Sequence, residues 1–456
     1  PKQEAMFLNT DDNADGADWW NSTLPTSTQF TVGAKDETNK DGKNYIAYLF
    51  ADGTESAAQI WGDNEDESII RCGSFSTDNS QNATITGLGW EPQWVLFKCH
   101  TNDGMWRLHD STRHMGLSGY AVLHPDNPVG ESTSTNTPVI ASTADGFRIQ
   151  NTNASRTYIY IAIRSAPMKT PTSAANLFAM DYGSGAPKPP TFDAPFVPDA
   201  AFFNEPSAVG GLDTYMSTRQ LGPRVLQTNS SDYWLTQDGD YSWDGSQTAT
   251  AASNGLVSGW GEDLTSLKLS WMFKKAPGFF DTVLYKGTGG VHGEPHNLGV
   301  VPEFMIIKCI DNAQNWAVYH KDLTSASYHL RLNSNLDELL SASIWNNYTP
   351  DAGYFQVGDN DESNKNGEWF QGLLFATLAG ISKVGKYDGT GNAVSVNCGF
   401  SSGARFLLIK RIDDNGDWYL FDSERGIITG SSDPYFCLNN DDDLVNNEDK
   451  LDVNSS

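Results

Sequence analysis

The sequence predicts an all-β protein built of tandem repeated β-sandwich modules, jelly-roll or concanavalin-like in type, at about 104 residues each. Three observations predict it. Apolar residues occupy every second place in runs such as Tyr328-His329-Leu330-Arg331-Leu332-Asn333, the period of a half-buried strand. Clusters of Gly, Asn, Asp and Pro break the chain at intervals of roughly 8–14 residues, the turn spacing of a sandwich or barrel. A fixed series of motifs returns along the chain in constant order.

Each unit opens on a Tyr/Gly turn, as in Tyr182-Gly183-Ser184-Gly185, Tyr285-Lys286-Gly287-Thr288-Gly289 and Tyr387-Asp388-Gly389-Thr390-Gly391. A second turn follows, Gly89-Trp90-Glu91-Pro92 or Gly299-Val300-Val301-Pro302. Next comes a continuous apolar strand ending in Lys, at Trp94 to Lys98, Phe304 to Lys308 and Phe406 to Lys410, with a weaker copy from Ala200 to Asn204. Such unbroken apolar runs suit strands covered on both faces. A Trp strand follows, Trp106 to Asp110, Trp316 to His320 and Trp418 to Asp422. A Leu-Asn element is then found at Leu8-Asn9, Leu226 with Asn229, Leu332-Asn333 and Leu438-Asn439, and its period requires a further copy near Leu123. An aromatic strand closes the unit: Tyr45 to Phe50, Tyr158 to Ile163, Leu267 to Phe273 and Trp369 to Phe375. Trp20-Asn21-Ser22-Thr23-Leu24-Pro25 echoes Trp345-Asn346-Asn347-Tyr348-Thr349-Pro350. Helical periodicity is nearly absent, with one or two turns expected over Asn335 to Leu340.

These repeats divide the 456 residues into a second half-module at 1–51, an acidic connector at 52–67, a module at 68–166, a divergent module with a Pro-rich start at 167–275, a module at 276–380, and the first part of another at 381–456. The stretches 167–175 and 186–198 read as connectors. Both ends of the sequence fall inside the repeat, and Pro1 is not an initiator Met. The expectation is a fragment of a longer array or disordered ends. The sharper alternative is that the partial ends complement each other, across subunits or within one ring. An overlap of about 17 residues after the Leu-Asn element stands against that alternative.

The formal charge is −27, which disfavours nucleic acid and anionic membrane as partners. No basic run interrupts it; the densest spots are pairs such as Lys274-Lys275 and Lys410-Arg411. No apolar run approaches the roughly 18 residues of a spanning helix, so membrane insertion is not expected. Five Cys are too few for a disulfide scaffold, and free, mostly buried thiols are expected.

No nucleophile elbow, zinc-protease helix or phosphate loop is present, so the chain is not expected to be an enzyme. His292-Gly293-Glu294-Pro295-His296 sets three metal-ligand residue types at a period of two, but only one unit carries them and Pro295 interrupts a ladder. Asp11-Asp12-Asn13-Ala14-Asp15-Gly16 matches the start of a calcium loop, with Asp11, Asn13 and Asp15 as ligands, and Ser22 stands where the bidentate Glu belongs. Calcium is the one cofactor these loops admit; a solvated acidic surface is the plainer reading, there and at 63–67, 359–362 and 441–443. The tryptophans that recur at fixed places in the unit read as packing residues. Trp19, Trp61, Trp234, Trp243 and Trp260 recur less and are better placed for exposed contacts. Tyr233, Trp234, Tyr241 and Trp243 lie in one Asp/Ser/Gly-rich stretch and form the candidate platform for stacking a glycan.

Taken together, the Tyr/Gly turn, the Gly-aromatic-Pro turn, the Ile-Lys strand, Asp422-Ser423-Glu424-Arg425-Gly426, the Leu-Asn element and the closing aromatic strand resemble an uncharacterised tandem repeat module of tail-fibre and other virion proteins of marine tailed phages. Asp110-Ser111-Thr112-Arg113 keeps the Asp-Ser-x-Arg pattern without its Gly, and Lys321-Asp322 departs from it. The resemblance implies a structural virion protein, tail-fibre or tail-associated, that serves as a modular spacer and host-attachment protein. Its implied partners are other virion proteins, further copies of itself and a host surface glycan or protein, and its location is the extracellular virion. The alternatives are another extracellular assembly (capsid decoration protein, surface adhesin or filament subunit) and a glycan-active enzyme. The last would need two carboxylates about 5–10 Å apart in a cleft.

Overall fold

The computed structural model describes residues 4–50, 52–53, 68–111, 115–116, 122–128, 139–165, 169–183, 192–204, 213–221, 224–232, 235–236, 269–427, 432–441, 445 and 451. The protein is nearly all β, in several antiparallel sheets with no closed barrel. It divides into two compact units. The first holds Pro1–Asp110, Gly119–Ala141 and Gly146–Ser165; the second holds Ser111–Ser118, Ser142–Asp145 and Ala166–Ser456.

In the first unit, strands β1 (Ile70–Ser76), β2 (Ala83–Ile85), β3 (Pro92–Cys99), β4 (Arg107–Asp110), β5 (Val139–Thr143), β6 (Gly146–Gln150) and β7 (Thr157–Arg164) form two sheets, ordered β1-β7-β3-β4 and β2-β6-β5. Phe147 of β6 lies edge-on to Phe75 of β1 and Tyr160 of β7, at 6.3 and 5.3 Å between ring centres. Aromatic rings pack in this tilted way because ring edges are positive and faces negative. The N-terminal residues of this unit contain one helical turn, α1 (Asp36–Asn39).

Among the described residues the second unit holds four more antiparallel sheets. Strands β8 (Phe178–Tyr182), β9 (Ala200–Asn204), β10 (Tyr215–Thr218), β11 (Arg224–Gln227), β12 (Leu235–Thr236) and β13 (Leu269–Phe273) are ordered β12-β11-β10-β9-β13-β8. Residues 192–196, expected to be connector, instead enter this core: Phe192, Ala194 and Phe196 are buried against Phe203 and Met272. Their alternation is a strand-like face, which the surrounding prolines obscure.

Strands β14 (Phe280–Lys286), β15 (His292–Pro295), β16 (Phe304–Cys309), β17 (Ala317–His320), β18 (Tyr328–Arg331), β19 (Leu339–Leu340), β20 (Tyr354–Val357) and β21 (Trp369–Phe375) form the most complete module. Its main sheet runs β14-β21-β16-β17-β18-β19, and β15 pairs with β20. One face of the main sheet, Val283, Tyr285, Met305, Ile307, Tyr319, Phe370 and Leu374, packs on Phe355 and Val357 of β20 and on Ile344 and Trp345 of the turn α2 (Ala342–Trp345). A second turn, α3 (Asp361–Asn364), is capped where Asn360 accepts from Glu362 N. Residues 335–340 are not helical; they end in β19, held by pairing to β18. The last sheet is β22 (Phe406–Lys410), β23 (Trp418–Asp422) and β24 (Tyr435–Cys437), in that order.

One strand order therefore recurs. The aromatic strand lies between the opening strand and the Lys strand, as β7, β13 and β21 do. The fourth aromatic run, Tyr45 to Phe50, does not form a strand. It is extended and exposed, with Ile46 and Tyr48 each 84% accessible, and among the described residues no strand lies beside it.

Candidate functional site

The recurring Lys and Trp build one device three times. Lys98, Lys308 and Lys410 each stand eight residues before Trp106, Trp316 and Trp418. Because a hairpin joins the two strands, the ammonium reaches back into that loop. Lys98 Nζ donates to Gly104 O, Lys308 Nζ to Gln314 O at 2.6 Å, and Lys410 Nζ to Gly416 O at 2.7 Å. Lys98 and Lys308 lie 6.0 Å from the ring centres of Trp106 and Trp316. Burial disfavours the charged form, so the Lys98 ammonium is pushed below the usual lysine range and Lys308 and Lys410 to about 8.

The indole then reaches beyond its own sheet. Trp106 Nε1 donates to Phe7 O at 2.7 Å, Trp316 Nε1 to Gln227 O and Ser230 O at 3.2 and 3.1 Å, and Trp418 Nε1 to Arg331 O at 2.9 Å. Each acceptor belongs to the Leu-Asn element of the preceding module. Lys308 also donates to Ser231 O and Lys410 to Asn335 O across the same junction. Within its own module the Leu-Asn element serves the Trp strand: Asn333 Oδ1 accepts from Trp316 N, and Asn439 Oδ1 from Trp418 N. The copy required near Leu123 is present in altered form. Leu123 bridges Leu108, and Asp126 replaces the Asn in accepting from Trp106 N. In the divergent module the pair is lost together. Asn204 stands for Lys, and its Nδ2 donates to Thr214, which stands for Trp.

A second buried group belongs to the Asp-Ser-x-Arg motif. Arg425 Nε donates to Asp422 Oδ2 at 2.6 Å, and the Arg425 guanidinium carbon lies 4.2 Å from the centre of the Phe436 ring. Trp271 Nε1, on β13 two modules earlier, donates to the same carboxylate at 3.0 Å. This motif is thus an inter-sheet clamp.

The other candidates fare differently. Tyr233, Trp234, Tyr241 and Trp243 lie outside the described residues, as do Trp61 and Trp260. Trp19 is buried rather than exposed, 3% accessible, and its Nε1 donates to Asp15 Oδ2 at 3.2 Å. It occupies the position that Ile344 holds in the core of the complete module, which explains its burial. In the acidic loop, Asp15 Oδ1 accepts from Ala17 N, Asn13 N donates to Asp103, and Asp11 O accepts from Gly104 N. These bonds fold the loop onto itself and onto the Lys98 hairpin. Among the described residues no group of three or more His, Cys, Asp and Glu is placed to hold a metal ion. His292 meets Glu294, while His296 Nε2 faces Asp351 O and its Nδ1 accepts from Leu298 N. All five cysteines are free, and Cys99, Cys309 and Cys437 are buried.

Sequence reasoning found the Lys and Trp strands but not their joint role. The signal available was their constant spacing and their simultaneous loss in the divergent module.

A family described as a domain of unknown function (DUF7483) matches residues 2–167 and 239–456. The chain belongs to that family. The unmatched stretch, 168–238, covers the first five strands of the module that lacks the Lys–Trp pair. No curated protein and no solved structure matches the chain. No helix among the described residues is long and apolar enough to cross a membrane.

Proposed function

We propose that this chain is a structural protein of a phage virion, tail-fibre or tail-associated, acting as a modular spacer that also presents loops to a host surface. The observation that carries the reading is the repeated junction. The same indole-to-carbonyl bond joins successive modules at Phe7–Trp106, Gln227–Trp316 and Arg331–Trp418. A chain whose most repeated polar constellation fastens one module to the next is built for reach and stiffness. Rows of modules also let weak surface contacts sum, since linked sites raise one another's effective concentration. The acidic, Asp/Asn-rich turns suit an extracellular, solvated surface. The partners in this proposal are other virion proteins and a host surface glycan or protein.

Negative-stain imaging of virions labelled with an antibody to the chain tests the proposal. Label along or at the tip of the tail is expected. Label confined to the capsid overturns the tail assignment, and virions without label overturn the virion reading.

A further inference from the structure

The complete module breaks the Asp-Ser-x-Arg motif, and a cleft stands at the break. Counted from Trp418 and Trp316, Asp422 corresponds to His320 and Arg425 to Leu323. In the last sheet Arg425 is buried on Asp422, its side chain 2% accessible. His320 and Leu323 cannot form that pair. Beside them lies a cleft of about 300 Å³, between residues 301–303 ahead of β16, residues 321–326 after β17, and Thr349. That volume is at the lower end of small-molecule sites.

The lining carries two donors that the fold does not use. Tyr319 is 4% accessible, and among the described residues its hydroxyl has no hydrogen-bond partner. Burial raises this phenol above its usual range, so it stays an O–H donor. His320 Nδ1 accepts from Asp322 N at 3.1 Å, which places the proton of the neutral ring on Nε2. That N–H has no acceptor among the described residues, and burial pushes the imidazole below the usual histidine range, so the ring stays neutral. Buried polar groups are normally paired, so two unpaired donors on one cleft mark a place for a ligand's oxygens.

Charge narrows the ligand class. Lys321 is paired with Asp322 at 2.9 Å, and Glu303 remains as an anionic wall, its Oε2 accepting from Thr377 N at 2.9 Å. Phosphate, sulfate and carboxylate ligands are therefore repelled. Ser325 Oγ accepts from Ser327 N at 3.2 Å, so its O–H is left to donate, and Val301 and Ala326 add apolar surface. Neutral donors, one carboxylate acceptor and apolar walls match the hydroxyls and C–H faces of an uncharged sugar.

Thr349 links the cleft to an aromatic pair. Tyr348 and Tyr354 stack with ring centres 5.3 Å apart, and Tyr354 is 37% accessible. Asp351 fixes both: Oδ2 accepts from the Tyr348 hydroxyl at 2.7 Å and Oδ1 from Tyr354 N at 2.9 Å. Ser327 Oγ donates to Asn347 Oδ1 at 2.7 Å and ties this turn to the wall of the cleft. An aromatic surface held in place beforehand loses little freedom when a ligand stacks on it.

We propose that this cleft binds one residue of a neutral oligosaccharide, with the Tyr319 hydroxyl and the His320 Nε2–H donating to its oxygens, and that the next residue stacks on the Tyr348–Tyr354 pair. The site stands on the cleft and does not rest on the virion reading.

An array of neutral, sialylated and sulfated oligosaccharides probed with the full chain tests it, followed by calorimetry with a retained neutral oligosaccharide. Tyr319→Phe removes one hydroxyl and keeps the ring that meets Trp345. Ser325→Trp blocks the cleft from an exposed position and leaves the core untouched, so it decides the matter if Tyr319→Phe disturbs folding. Each is expected to weaken binding by roughly tenfold or more, with thermal melting near that of the wild type, and Tyr354→Ala to weaken oligosaccharides more than single sugars. Retention of no neutral oligosaccharide overturns the proposal, as does a preference for sialylated or sulfated ones. So does binding that Ser325→Trp or a folded Tyr319→Phe leaves unchanged. Antibody label on the tail together with an empty array would remove this site and leave the tail assignment standing.

Discussion

Trp316→Phe isolates the junction from the rest of the core. Trp316 is fully buried, and its indole N–H serves two carbonyls, Gln227 O and Ser230 O, under the Lys308 ammonium. Phenylalanine keeps one ring but leaves both carbonyls without that donor and opens a small void. Gln227 O keeps its bond from Ser230 N, so the loss falls mainly on Ser230 O, and an acceptor deprived of its donor costs about 1–3 kcal/mol. The void adds a further ~1 kcal/mol or so, since whole-ring deletions cost about 3–5 kcal/mol and most of the ring is retained. The expected loss is about 2–4 kcal/mol. Hydrogen exchange by mass spectrometry reads it locally. Amides of β17 and of residues 224–232 should exchange roughly 30- to 1,000-fold faster, at a factor of ten per 1.4 kcal/mol, while β1 and β7 stay unchanged. Lys308→Met in a double-mutant cycle should show a coupling above about 0.5 kcal/mol with Trp316→Phe. Exchange accelerated less than about fivefold, or spread evenly over the chain, would refute the claim that this bond fastens the modules.

Asp422→Asn strips the charge from a fully buried pair and leaves Arg425 uncompensated, so urea denaturation should show a loss of about 3–5 kcal/mol, with Asp422→Leu/Arg425→Met milder than the single change. Lys308 has its proton affinity lowered to about 8 in the folded state, so between pH 8 and 10.5 the unfolded chain binds the extra proton; wild-type stability should rise with pH relative to Lys308→Met, by up to roughly 3 kcal/mol. His296, His320 and His329 are all pushed below the usual histidine range, chiefly by burial, so the unfolded chain takes up protons first and thermal stability should fall as pH drops below about 6.5; His329→Gln should reduce that slope. Gly358→Ala should destabilise by about 2 kcal/mol or more in urea, because its Cβ would strike the Ser343 carbonyl.

Much of the fold was legible because strands announce themselves by period and turns by residue type. The Lys, Trp and closing aromatic runs at 304–308, 316–320 and 369–375 all became strands. The errors have local causes. Residues 335–340 have enough Leu for a helical turn, but pairing to β18 decides for strand. Phe192 and Phe196 were hidden among prolines. Trp19 lacks a repeated Trp partner, yet its position is the one Ile344 buries. For the junction, the sequence displayed spacing but not direction. Nothing in Trp316 itself says that its N–H reaches a carbonyl 86 positions earlier, at Ser230.

By itself the sequence determined the all-β class, the repeat and the order of elements within it, because alternation and turn chemistry are local properties. Tertiary structure alone decided which repeats share a bond, which lysines are buried and which aromatic run remains without a sheet. Those outcomes depend on what lies beside a residue in space. Tyr45–Phe50 and Trp369–Phe375 have the same character in sequence, and among the described residues the second alone has strands on both sides to bury it.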